Sequence, residues 1–400
     1  MKKEITIGLF NDSFYPMCDG VTIVVDNYAR ELSKYAKVIV FVPQYMGKEY
    51  DDTVFPYQVV RCYSLKVPFL DYSLPIPKLD RKFLHELDKY NLDVVHIHSP
   101  FTIGMAGLDY AKKHHIPCIA TMHSQFKRDF IRAVKSEYLA TKLNNTLIKV
   151  FNKCDECLAV NQETARIFRD EYGYRGVPIV MENATDMRPI EDSKKAIDYI
   201  NRKYNIKKNE KVFLYVGRIN VLKNIIFIAD SLQAVKKKKP HFKFKMLYVG
   251  NGQDEDKLRE HINDIGLSND VIMCGKVTDR YELACYYKRA DLLLFPSEYD
   301  TSAIVRIEAA SQETPGLFLE GTATASMIVD NINGFLSKKT VGAYSDRIIE
   351  IINDKRLYDK VCKNAYVDLY KTWDGVVRES YDIYLKAIKD KKKGLFSRGE

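Results

Sequence analysis

A chain of 400 residues exceeds what one hydrophobic core comfortably fills, so two or three domains are expected. With 46% hydrophobic and 29% charged residues and no low-complexity tract, its composition excludes a disordered or fibrous protein. No stretch approaches the roughly 18 apolar residues of a membrane-spanning helix, and a net charge of +9 without a recognised binding motif makes nucleic acid a weak reading.

Taken in chain order, the first ten residues are briefly apolar, but Asn11 and Asp12 follow at once and no small-residue cleavage site does. They read as a first buried strand, not a signal peptide. The pattern predicts a strand over 5–10, an amphipathic helix over 21–34 and a strand over 37–42. Further on come a strand over 94–98, a helix over 104–114, a strand over 118–122, one long basic helix over 127–153 and a strand over 156–160. Alternation of this kind signals βαβ units and a parallel sheet. The same grammar restarts with strands over 211–216, 244–249, 270–274 and 292–295, separated by helices over 224–237, 255–265 and 282–289 and followed by one over 305–312. The polar stretch 187–209 lies between the halves or just inside the second. The expected fold is therefore α/β, two Rossmann-like doubly wound domains facing across a cleft, with ligands at the carboxyl ends of the strands.

Eight cysteines, Cys18, Cys62, Cys118, Cys154, Cys157, Cys274, Cys285 and Cys362, are scattered too widely for a disulfide framework and point to a reducing, cytoplasmic setting. Cys154 and Cys157 lack the second pair a zinc site needs and read as buried thiols at a strand edge. Charge is uneven. Lys127, Arg128, Arg132, Lys135, Lys142, Lys149 and Lys153 face only Asp129 and Glu137 over 127–153. The tail carries Lys386, Lys389, Lys391, Lys392, Lys393 and Arg398 with Leu395 and Phe396. Such patches attract phosphates, those of an anionic membrane included, and the competing reading is a solvated helix face and a frayed tail.

Four features fall at strand ends. The loop Asn11–Gly20 leads into a helix whose first amides suit a phosphate, and Gly20 allows close backbone approach; a turn without a ligand is the plain alternative. After the first strand of the second half come Gly217, Arg218 and Lys223. A guanidinium and an ammonium five residues apart can converge on one pyrophosphate, or can simply be solvated. Asp300 and Glu308 straddle a passage from loop to helix, with the small residues Thr301, Ser302 and Ala303 between. Carboxylates beside a diphosphate suit sugar or ribose hydroxyls, although Glu308 could equally be a helix-start acid. His123, just past the strand 118–122, can hydrogen-bond a sugar or shuttle a proton, whereas His96 and His98 read as buried structure. No Asp-x-Asp pair or His cluster has the spacing of a catalytic metal site, so no metal cofactor is expected.

In this order the features resemble the retaining glycosyltransferases of family 4, with the GT-B fold, over roughly residues 5–373. Asp300 through Glu308 is similar to that family's acidic pair, Gly217-Arg218 with Lys223-Asn224 to its donor-phosphate segment, and Asn183-Ala184-Thr185-Asp186 to its Asn-Gly-Val-Asp turn. Asn333-Gly334-Phe335-Leu336 resembles its late Asn-Gly signature, residues 16–21 its first glycine loop, and His123 its active-site histidine. The sequence departs from the pattern at Asp19, Ser302, Ala303 and Ser326, the last where a glutamate is common.

The resemblance implies that Arg218 and Lys223 hold a donor diphosphate and that Gly20 lets its loop close over the phosphates. Gly217 would shape the donor loop, and backbone at Ala303, Ile304 and Val305 would contribute amides. Asp300 and His123 would contact the transferred sugar, and Glu308 the ribose. It also implies an acceptor-binding domain over 1–182, a nucleotide-sugar domain over 183–372, and a C-terminal helix with a basic tail over 373–400 packing back on the first domain. The expected partners are a nucleotide sugar, UDP-hexose by default, and a lipid-linked, polysaccharide or other glycan acceptor, with peripheral contact with an anionic membrane. The rival readings are a sugar-nucleotide epimerase and a non-catalytic partner of the same fold.

Overall fold

Apolar runs such as Val38–Val42 leave no polar face, and in the computed structural model they become strands buried on both sides. The structure describes residues 4–17, 19–47, 49–66, 73–298 and 300–394. Cys18, Tyr299, Leu395, Phe396 and Arg398 lie outside the described residues. The chain divides into two compact units, Met1–Asn183 with Trp373–Glu400, and Ala184–Thr372.

The first unit runs β1 (Thr6–Phe10), α1 (Gly20–Leu32), β2 (Lys37–Pro43), β3 (Gln58–Cys62) and a small antiparallel pair, β4 (Ser64–Lys66) with β5 (Ser73–Pro75). Then follow α2 (Arg81–Lys89), β6 (Val94–Ile97), α3 (Thr102–Lys113), β7 (Cys118–Met122), α4 (Phe126–Val134), α5 (Glu137–Phe151), β8 (Glu156–Ala159), α6 (Gln162–Arg166) and β9 (Ile179–Val180). Its main sheet is parallel, in the order β3-β2-β1-β6-β7-β8-β9. Half-buried Asp12 ties the loop after β1 to the start of α3, accepting from the amides of Ile103 at 2.8 Å and Gly104 at 3.3 Å and from Ser99 Oγ at 2.7 Å. Burial pushes its carboxyl up, and these hydrogen bonds pull it back.

The basic segment is not one helix. Lys135 takes a left-handed backbone (φ 51°) that closes α4, and Ser136 caps α5 by accepting from the Leu139 amide.

The second unit runs α7 (Ser193–Lys203), β10 (Lys211–Val216), α8 (Ile225–Lys238), β11 (Phe244–Val249), α9 (Glu255–Asp264), β12 (Val271–Gly275), α10 (Arg280–Arg289) and β13 (Leu292–Leu294). It continues through α11 (Ile304–Ser311), β14 (Gly316–Leu319), β15 (Phe335–Ser337), α12 (Val341–Asn353) and α13 (Lys355–Leu369). Its sheet is again parallel, ordered β12-β11-β10-β13-β14-β15. The polar stretch 187–209 lies inside this unit and holds α7, whose Tyr199 and Lys203 both bond Glu282 of α10. The last helix, α14 (Trp373–Lys392), belongs to the first unit. It packs on α1, with Ser380 Oγ 3.1 Å from the Tyr28 hydroxyl. Among the described residues no helix is long and apolar enough to cross a membrane.

Candidate active site

In the second unit the site residues gather at the carboxyl ends of β10 and β13. Gly217, directly after β10, has φ 151°, a conformation side chains rarely adopt. A Cβ on Gly250, after the neighbouring β11, would lie 1.9 Å from the Gly217 carbonyl oxygen. Two glycines thus let two loops touch backbone to backbone, and Asp254 pins the turn by accepting from the Val221 amide at 2.9 Å. Lys223 Nζ lies 2.8 Å from Asp300 Oδ1, and Ser297 Oγ donates to Asp300 Oδ2 at 2.6 Å. The predicted cation and the predicted acid are therefore in contact, with side chains 18% and 20% exposed. Arg218 is exposed, and its guanidinium has no partner among the described residues.

Ala303 precedes α11, with Ile304 and Val305 as its first helical residues, so their amides have no partner within the helix. Glu308 is not a helix-start acid. It sits in the second turn, buried, with Oε1 2.8 Å from Arg280 and Oε2 accepting from the Tyr287 hydroxyl at 2.7 Å. Burial and the Glu308 charge hold the Tyr287 proton firmly in place. Arg280 also pairs with Asp186 and lies 3.3 Å from Thr185 Oγ1.

In the first unit Gly20 opens α1, exposed, with nothing within 4 Å of an added Cβ. One of the helix-start amides read as a phosphate site is already taken, because Asp19 accepts from Thr22 N at 2.7 Å. His123 is buried, with Nε2 3.1 Å from His98 Nδ1. The His98 ring lies 4.0 Å from that of His96, tilted by 36°, and His96 bonds Tyr384 of α14 at 2.6 Å and Thr121 at 2.7 Å. Burial pushes His96 and His123 down to about 3, so the array is neutral at physiological pH.

Sequence reasoning missed Ser297, Arg280, Tyr287 and Gly250. Only the need of a buried acid for partners, or of crossing loops for glycine, pointed to them. The thiols of Cys154 and Cys157 are buried, and Cys118 Sγ lies 3.9 Å from Cys154 Sγ. Among the described residues no group of three or more His, Cys, Asp or Glu is placed to hold a metal. Ser326 follows a short 3₁₀ turn and donates to the Ala323 carbonyl at 2.9 Å.

Two family descriptions match, Glycosyltransferase Family 4 over residues 18–187 and Glycosyl transferases group 1 over residues 197–368. The chain is 27% identical over 346 residues to the alpha-monoglucosyldiacylglycerol synthase of Streptococcus pneumoniae, covering 82% of this chain and 74% of that protein. It is 24% identical over 410 residues to the enzyme of the same name from Acholeplasma laidlawii, covering 97% and 99%. Its fold is similar to that of sucrose-phosphate synthase from Thermosynechococcus elongatus, with a TM-score of 0.75 at 19% identity over 96% of this chain and 99% of that one. The chain belongs to the group 1 glycosyltransferases of the GT4-like, GT-B type, enzymes of the hexosyltransferase class.

Proposed function

We propose that the chain moves a hexose, with retention, from a nucleoside diphosphate sugar, UDP-hexose first among them, to a lipid-linked or glycan acceptor. The observation that carries this reading is the loop after β10. It offers a free guanidinium, Arg218, and an ammonium, Lys223, already held against the acid Asp300. An arriving diphosphate shares Lys223 and draws on Arg218, which frees Asp300 to accept from a hydroxyl of the transferred sugar. The α11 amides at Ala303, Ile304 and Val305 face the phosphates, and Glu308 accepts from the ribose. Gly20 and His123 take the roles the family resemblance gives them. The departing phosphate oxygen removes the acceptor's proton. The two cations and the helix amides stabilise the leaving group without a catalytic metal, so catalysis comes from positioning and preorganised charge.

Two relatives named for glucosyldiacylglycerol synthesis support a lipid-linked acceptor. So does the surface of α4 and α5, where Ile131, Tyr138, Leu139 and Leu143 are exposed among basic residues. This fits peripheral contact with an anionic membrane. The donor reading is tested by thermal unfolding with UDP, GDP, ADP and CMP. A diphosphate at 100 times its dissociation constant adds about 2.7 kcal/mol to the wild type, and Arg218→Ala and Lys223→Ala lose that gain. A wild type that none of the four stabilises defeats the reading.

A further inference from the structure

We infer that Arg280 is a positioning residue for ribose recognition, a role that rests on Glu308 being the ribose acid. Glu308 is buried on all but an edge, and a carboxylate so placed needs partners on both oxygens. Tyr287 fills one and Arg280 the other. Each oxygen of an ionised carboxylate has two lone pairs. One partner per oxygen therefore fixes the plane of the group and leaves one acceptor site on each, the arrangement that suits two neighbouring hydroxyls.

Arg280 is held in turn. It is the first residue of α10, capped by Asp279, and it reaches Asp186 and Thr185 on the segment that enters the second unit. Thr185 is fixed by its own backbone, its amide donating to the Lys371 carbonyl at 3.0 Å. Glu308 is thereby oriented by a guanidinium whose Nη2, the nitrogen that meets Glu308, is also held by Asp186 and Thr185. Lysine, a point charge on a flexible stem, can reach Glu308 but cannot hold Asp186 and Glu308 in one plane. The Arg280 side chain is 42% exposed, so truncating it seals no cavity inside the unit.

The experiment is calorimetric titration of the full chain with UDP and with 2′-deoxy-UDP, for the wild type, Arg280→Ala, Arg280→Lys and Asp186→Asn. A hydrogen bond to a charged group is worth roughly tenfold to a hundredfold in affinity, so the wild type binds UDP more tightly than the deoxy form by a factor in that range. In Arg280→Ala the ratio collapses toward one, mainly through loss of UDP affinity. Arg280→Lys restores part of it, and Asp186→Asn gives an intermediate value. With a hexose donor, the Arg280→Ala loss falls on KM more than on kcat. A merely structural role would weaken both nucleotides by one factor and keep their ratio. That result in either Arg280 variant overturns the proposal, as does an Arg280→Ala chain that discriminates like the wild type. A wild type that binds UDP but prefers neither form rejects ribose recognition while leaving the donor site standing. A wild type that binds neither nucleotide overturns the UDP reading, and this inference with it.

Discussion

Lys223 and Asp300 show how one contact can serve two states. Each is mostly buried, and each neutralises the other at 2.8 Å. Removing the lysine leaves Asp300, which Ser297 holds, without its counter-charge and removes a donor to the leaving diphosphate. Lys223→Ala is therefore expected to lower kcat by about a hundredfold to a thousandfold, the usual loss for one preorganised electrostatic group, in a steady-state transfer assay. Arg218, which has no such acid to abandon, costs less folding stability when replaced. At this scale the sequence was informative wherever a charge followed a strand. The strand-end places of Arg218, Lys223, Asp300 and His123 were legible because the chain must turn at the strand's carboxyl end. Arg280, Tyr287 and Ser297 were not, since a residue that serves another side chain leaves no mark in the spacing.

Among the elements, the strands were the most legible, because burial on two faces writes a near-continuous apolar run. The basic segment misled. Its charge pattern reads straight through 127–153, but the left-handed turn at Lys135 carries no glycine or proline to announce it. The break makes α4 a short helix with no buried residue, carrying exposed Ile131 between Arg128 and Arg132. If this surface meets anionic lipid, the protein sediments with vesicles containing anionic phospholipid at low salt and is released as salt shortens the Debye length to a few ångströms. Replacing Arg128, Arg132 and Lys135 with glutamine is expected to abolish the low-salt sedimentation. Protein that stays in the supernatant at both salt levels shows that the charges are only solvated. The edge pieces β4 and β5 and the helix α7 were missed for a simpler reason: short or polar elements bury too little to show a period.

At the scale of the molecule, the histidine array sets a pH limit. Folded His96 and His123 titrate near 3, against 6.5 when unfolded. Above about pH 6.5 both states are neutral and the stability is full. As pH falls from there toward about 3, the unfolded chain takes up protons that the folded one cannot. Stability then drops by up to about 1.4 kcal/mol per pH unit for each histidine. Thermal unfolding between pH 7.5 and 5 checks this: the melting temperature falls on acidification, and His96→Gln flattens the slope. The division into two α/β units was legible because the strand–helix grammar starts twice.

The order in which the protein is made runs against the order in which its units can be completed. Tyr384, which holds His96, and Ser380, which meets Tyr28, belong to a helix synthesised only after all of the second unit. On the ribosome, the stretch 184–372 emerges with every strand of its own sheet and can close by itself. The earlier stretch waits with the back of its histidine row uncovered until α14 leaves the exit tunnel. The first half to be translated is thus the last to be finished. Stalled nascent chains that end before Trp373 are expected to bind a chaperone through that first half, and chains long enough to free Tyr384 to release it.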